Sequence, residues 1–142
     1  MEKIEFKLIN LNKMIVSLKK ATTRLAKVTD SEDIEYFQDS VAARFKILIE
    51  STWKNIKLHL ENEKFADVPA SPKGVITFAK EANLLTQEEH DQFIKYLTLR
   101  NLASHMYDQP QYLLVIQAAP GAVVLIQTII DRISPVNATK IY

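Results

Sequence analysis

Residues 30–61, DSEDIEYFQDSVAARFKILIESTWKNIKLHLE, decide the fold. Asp30 and Ser31 offer side-chain oxygens to the free N–H groups of a helix start. Glu32 and Asp33 then place negative charge where the helix dipole favours it. Behind them Ile34, Phe37, Val41, Phe45, Leu48, Thr52 and Ile56 recur at steps of three and four, the spacing that lines one helix face. No Gly or Pro interrupts the run, so the spacing predicts one long rod ending near Glu61. Trp53 is expected in the core, where its indole nitrogen needs a partner. Glu50, one turn earlier, is either that partner or a surface acid.

Towards the N-terminus, Glu2 to about Val28 carries Ile4, Leu8, Leu11, Ile15, Leu18 and Leu25 in a second helical stripe. Its other faces hold Lys13, Lys19, Lys20, Arg24 and Lys27. These are either a solvated face or a strip that contacts the phosphates of RNA or of a partner's nucleotide. Towards the C-terminus, Lys64 to Ala70 lacks periodicity, contains Pro69 and reads as a loop. Ser71-Pro72 starts a third, short helix, a cap followed by proline at the first helical position. That helix should turn Val75, Phe78 and Ala79 inward and stop near Asn83.

Thr86-Gln87-Glu88-Glu89 is a capping box for a fourth helix through Phe93, Ile94 and Leu97. Pro110 is expected to close it. A fifth helix, from about Gln111 to Ala118, should break at Pro120-Gly121 and resume through Val123-Val124-Leu125-Ile126 to Ile133. That last segment is apolar on nearly every side, so more than one of its faces should be covered, by the core or by another subunit. No strand pattern or internal repeat competes. The expected fold class is all-α, an up-and-down helical bundle of about five helices, as a single domain over residues 1–142.

Composition narrows the function. The 142 residues are 47% hydrophobic, enough for a sizeable core, and the net charge of +1 gives no broad attraction to nucleic acid or membrane. Any RNA binding must come from a local cluster. The absence of cysteine excludes thiolate zinc sites, thiol nucleophiles and disulfides. Only two glycines, Gly74 and Gly121, are present, so neither a P-loop nor a dinucleotide fingerprint can be built. No apolar run approaches the ~20 residues that a membrane span requires, and the charged start does not suit a secretion signal. A cytoplasmic protein without membrane contact is expected.

The chemistry-bearing residues gather in one stretch, Arg100-Asn101-Leu102-Ala103-Ser104-His105-Met106-Tyr107, with Asp108 behind. At about 100° per residue, Asn101 and His105 are neighbours on a helix, and Arg100, Ser104 and Tyr107 form an adjacent stripe. A long arginine arm can swing towards the imidazole. The plain alternative is that Arg and His stand here because the dipole of a helix C-terminus favours cations, while Tyr107 packs. Asn101 would then bind an adjacent helix end.

The run Arg100-Asn101-x-x-x-His105-x-Tyr107-Asp108 resembles the signature of the HEPN superfamily, in the branch of nucleotidyltransferase substrate-binding proteins and HEPN toxins paired with minimal nucleotidyltransferases. The likeness extends to Ser71-Pro72-Lys73, to Arg44-Phe45 and to Glu50-x-x-Trp53-Lys54, and so covers roughly Arg44 to Asp108. Departures are Leu99 where relatives often carry an acid, Met106 in place of the usual Thr, and Lys46 and Thr52. The missing acid bears on how Arg100 is held.

The resemblance implies a metal-independent endoribonuclease toxin of a toxin–antitoxin pair. Cleavage of RNA by its own 2′-hydroxyl needs a base, an acid and charge stabilisation. His105 titrates near neutrality and suits base or acid. Arg100 can hold phosphate oxygens bidentately, and Asn101 would fix the imidazole or a non-bridging oxygen. Ser104 and Asp108 would support the site. One chain supplies a single histidine here, so a homodimer joined at the fourth helices is expected to complete the site.

The resemblance further implies an antitoxin partner, a minimal nucleotidyltransferase that places AMP on Tyr107. No metal or cofactor is expected, since His59, His90 and His105 are far apart in sequence and no carboxylate cluster accompanies them. The competing function is a non-catalytic subunit that binds a nucleotide or acceptor for the transferase. A purely structural helical adaptor would leave the signature unexplained.

Overall fold

A computed structural model describes residues 2–103 and 109–134, with side chains over 7–101 and 113–134. The described residues form α1 (Glu2–Lys27), α2 (Ser31–Asn62), α3 (Pro72–Glu81), α4 (Gln87–Ala103) and α5 (Gln109–Ile133), and include no strand. Around the bundle α1 packs on α2, α2 on α4, α4 on α5 and α5 back on α1. Helix α5 also reaches α2 across the middle, and short α3 bridges α2 and α4. The all-α helical bundle is as the sequence predicts.

The helix starts follow from local chemistry. Asp30 has extended backbone and its carboxylate accepts the Glu32 N–H at 2.9 Å. Ser71 Oγ accepts from Gly74 N–H at 3.1 Å, with Pro72 opening the helix behind it. A Cβ on Gly74 would lie 2.6 Å from that hydroxyl, so the cap requires glycine. The capping box forms in both directions: Thr86 N–H donates to Glu89 Oε1 at 2.9 Å and Glu89 N–H to Thr86 Oγ1 at 3.1 Å. Helix α3 ends where Asn83 turns left-handed at φ 64°, letting Leu84 N–H reach the Ala79 carbonyl at 2.9 Å.

Most positions of the predicted stripes become the core, but Leu25, Ile34 and Phe37 are only half-buried, and the side chain of Ile4 lies outside the described residues. Leu8, Leu11, Ile15 and Leu18 of α1 meet Val41, Phe45, Leu48 and Ile56 of α2, all buried. Phe93 and Leu97 of α4 and Ile126 and Ile129 of α5 complete it. Trp53 is buried as expected. In α3, Val75 and Ala79 are buried as predicted, but Ile76 takes the third inward place and Phe78 is only half-buried.

Helix α5 departs from expectation. It runs unbroken through Pro120 and Gly121, and Pro110 is its second residue, in an opening turn that tolerates proline. Pro120 stands on the exposed side, where water can take the place of the missing N–H. Gly121 faces α4: a Cβ there would come within 2.8 Å of the Tyr96 hydroxyl. The pair is thus a point of close helix contact. Because the helix continues, Leu113–Ile133 is long and apolar enough to cross a membrane, against the expectation that no stretch qualifies. In this bundle it packs against α1, α2 and α4.

Candidate functional site

Arg100 lies in the last turn of α4 and reaches across to α2. Its Nη1 donates to Glu50 Oε2 at 2.5 Å. Its Nε and Nη2 both donate to one oxygen, Asn101 Oδ1, at 3.3 and 2.8 Å. The arginine side chain is 15% exposed, whereas Asn101 is on the surface. Leu99 is buried in the core, and the carboxylate that holds Arg100 is Glu50 of α2. Asn101 binds the guanidinium; no bond to another helix end is formed among the described residues.

Glu50 is shared. Its Oε1 lies 3.5 Å from Lys54 Nζ, one turn further along α2. Burial raises the Glu50 carboxyl, but the Trp53 indole, the Arg100 guanidinium and Lys54 together outweigh it and leave the group below the usual carboxylate value. The indole acts through proximity, because Trp53 Nε1 makes no bond of hydrogen-bonding geometry and is the one buried side-chain donor without a partner among the described residues. So Glu50 is chiefly the anchor of Arg100. A charged carboxylate fixes Nη1, and the Nε/Nη2 edge rests on a neutral, exposed amide oxygen. An anion can displace such a partner and gain two charge-assisted bonds in one plane.

Ser104, His105, Tyr107 and Asp108 lie outside the described residues. Arg100 and Asn101 are the predicted site residues that the structure places, side by side. Glu50 is the residue that sequence reasoning left unassigned. Its signal was there: a carboxylate on the long rod, in one of the blocks resembling the family.

Two other polar clusters tie helices together. Arg132 Nη1 and Nη2 donate to the two carboxylate oxygens of Glu89 at 2.7 and 3.0 Å, and Nη1 also reaches the Leu84 carbonyl at 2.7 Å. His90 Nε2 meets Thr77 Oγ1 at 3.0 Å while its Nδ1 meets Asp91 at 2.8 Å, joining α4 to α3. Among the described residues, no group of three or more His, Asp or Glu side chains could hold a metal ion.

The sequence profile described as nucleotidyltransferase substrate binding protein like matches residues 6–131, and so includes the stretch after Arg100. The chain belongs to this family. No curated protein matches the sequence. Among solved structures, a Thermus thermophilus protein shares 29% identity with a TM-score of 0.73, over 87% of this chain and 98% of that one. A Haemophilus influenzae protein, described as revealing the fold of a substrate-binding domain of a nucleotidyltransferase, gives a TM-score of 0.75 at 18% identity over 89% and 98%. A tri-AMPylated Shewanella oneidensis HEPN toxin, in complex with an MNT antitoxin, gives 0.65 at 23% over 87% and 95%. This family member thus has the helical fold of a nucleotidyltransferase substrate-binding domain.

Proposed function

We propose that this family member is a HEPN-type toxin, a metal-independent endoribonuclease whose site is completed across a homodimer and which a minimal nucleotidyltransferase neutralises. The observation that carries the reading is the poise of Arg100. Glu50 orients the guanidinium, and its outer edge is covered only by the Asn101 amide. A phosphodiester that displaces Asn101 gains a preorganised clamp for the charge that develops as phosphorus becomes five-coordinate. Asn101, once released, remains adjacent to hold a non-bridging oxygen or the imidazole.

In this reading His105 of one protomer removes the proton from the ribose 2′-hydroxyl. The 2′-oxygen bonds to phosphorus, the bond from phosphorus to the 5′-oxygen breaks, and the imidazolium of a second copy protonates that 5′-oxygen. The products are a 2′,3′-cyclic phosphate and a 5′-hydroxyl. Leu113 and Leu114, exposed one turn into α5, offer apolar surface for a second copy near the end of α4. The antitoxin would act on Tyr107: its phenolate attacks the α-phosphate of ATP and pyrophosphate leaves. The added phosphate would then occupy the anion site of Arg100.

The test is metal-free incubation of RNA with wild type and His105→Ala. Cleavage that disappears in the variant supports the nuclease. No cleavage by either protein supports the second reading, a non-catalytic subunit that binds the transferase's nucleotide or acceptor, which the family description favours. Tyr107→Phe should cleave RNA but take no AMP; AMP retained on that variant by mass spectrometry would remove Tyr107 as acceptor.

A further inference from the structure

A groove of about 620 Å³ opens between α1 and α2. Lys20 and Arg24 line it from α1, one helical turn apart and so projecting side by side. Arg44 lines it from α2, and its Nη1 is anchored on the Ser17 hydroxyl and on the Ser17 carbonyl, the latter at 3.1 Å. Arg44 continues into a second cavity of about 370 Å³ with Lys13, so the cations form a track along the helix seam. Three cations face a single lining carboxylate, Asp39, in a protein whose whole net charge is +1. Lys20 and Arg24 make no ion pair among the described residues.

The groove also has an aromatic wall. Tyr36 is 73% exposed, and its ring is braced edge-on by Phe37, with centroids 5.9 Å apart and planes at 89°. A bare tyrosine ring loses apolar stabilisation in water unless a flat partner covers it. Neighbouring cations and a free aromatic face are what a single nucleic-acid strand uses, phosphates on the former and a base on the latter. An acyl chain or an apolar peptide would leave these cations unpaired. The volume suits a nucleotide unit, and the continuation past Arg44 suits a strand.

We infer that this α1–α2 groove is a docking track for single-stranded RNA, with Tyr36 stacking on a base and Lys20, Arg24 and Arg44 holding phosphates. The track rests on the nuclease reading for its purpose, holding the strand that Arg100 engages beside Glu50, further along α2. Arg44 and Glu50 are about 9 Å apart along the α2 axis, so a strand of several nucleotides passes from one to the other. The groove then decides how well a long substrate is captured, and contributes nothing to a substrate too short to reach it.

The experiment measures fluorescence anisotropy of a labelled single-stranded RNA 15-mer with His105→Ala protein, which holds the RNA without cutting it. The Lys20→Ala/Arg24→Ala pair should weaken binding about 10-fold and flatten the salt dependence by roughly 1.4 in log–log slope. Tyr36→Ala should weaken it by about 5- to 100-fold. Lys73→Ala/Lys95→Ala, on exposed surface elsewhere, should change little. Unchanged affinity in the groove variants overturns the inference, and so does a loss confined to free ATP with RNA binding intact. In protein with His105 restored, groove variants should keep cleavage of a dinucleotide substrate and lose it on the 15-mer through KM. If wild type cleaves nothing, the nuclease reading fails while anisotropy still decides the groove.

Discussion

Two arginine–glutamate pairs hold α4, one at each end, and they differ in what they leave free. At the N-terminal end Arg132 grips both oxygens of Glu89 and a backbone carbonyl, and Glu89 also completes the capping box of its own helix. At the C-terminal end Arg100 touches one oxygen of Glu50, whose other oxygen is near Lys54, and lays its outer edge on Asn101. The first pair is closed upon itself and works as a latch. The second fixes an arginine in place and keeps one face exchangeable. The same two residue types thus serve stability in one place and ligand capture in the other.

The largest expected effect separates the pairs by activity. Arg100→Ala should lower RNA cleavage roughly 10²- to 10³-fold, the usual loss when one oxyanion-stabilising donor is removed. Its thermal midpoint should fall no more than that of Arg132→Ala. If Arg132→Ala loses cleavage equally while remaining folded by circular dichroism, the contrast is wrong.

A smaller effect appears in stability. Glu89→Ala removes the latch and the cap together and should cost about 2 kcal/mol in urea unfolding. Glu50→Ala should cost less, because the Glu50 side chain is 39% exposed against 16% for Glu89, so water already screens its pair with Arg100. Equal losses would mean that Glu50 is as structural as Glu89.

The smallest effect is in the acid limb. The Arg132 hydrogen bond, against the pull of burial, holds Glu89 below its ordinary value of 4.5. A carboxyl depressed in the folded state stabilises fully above the unfolded value, and that contribution is lost as pH falls through the folded one. Melting as pH falls below that ordinary value should therefore be flattened by Glu89→Gln, and flattened less by Glu50→Gln, whose side chain is the more exposed. The reverse order would overturn the ranking of the two pairs.

The parts of the fold legible in the sequence are those settled within a few residues. Asp30, Ser71 and Thr86 cap because a side-chain oxygen reaches an N–H two or three positions on, whatever the rest of the chain does. The stripes of α1 and α2 were equally legible, since one apolar face must be covered. The expected break at Pro120-Gly121 failed because proline on a wet face forfeits little. The glycine that looks like a breaker is there to admit Tyr96. Trp53 and Glu50 are close, as their spacing suggests, but Glu50's partner is an arginine fifty residues later.

By itself, then, the sequence determined the helices, their caps, the core faces and the concentration of chemistry after Leu99, all consequences of periodicity and local hydrogen bonding. Only the tertiary structure decided which carboxylate Arg100 would meet, which edge of its guanidinium would stay exchangeable, and that the cations of α1 and α2 would share one groove with a bare tyrosine. Those outcomes depend on which helix flanks which. Sequence spacing carries no record of that, because packing is set by the whole core at once.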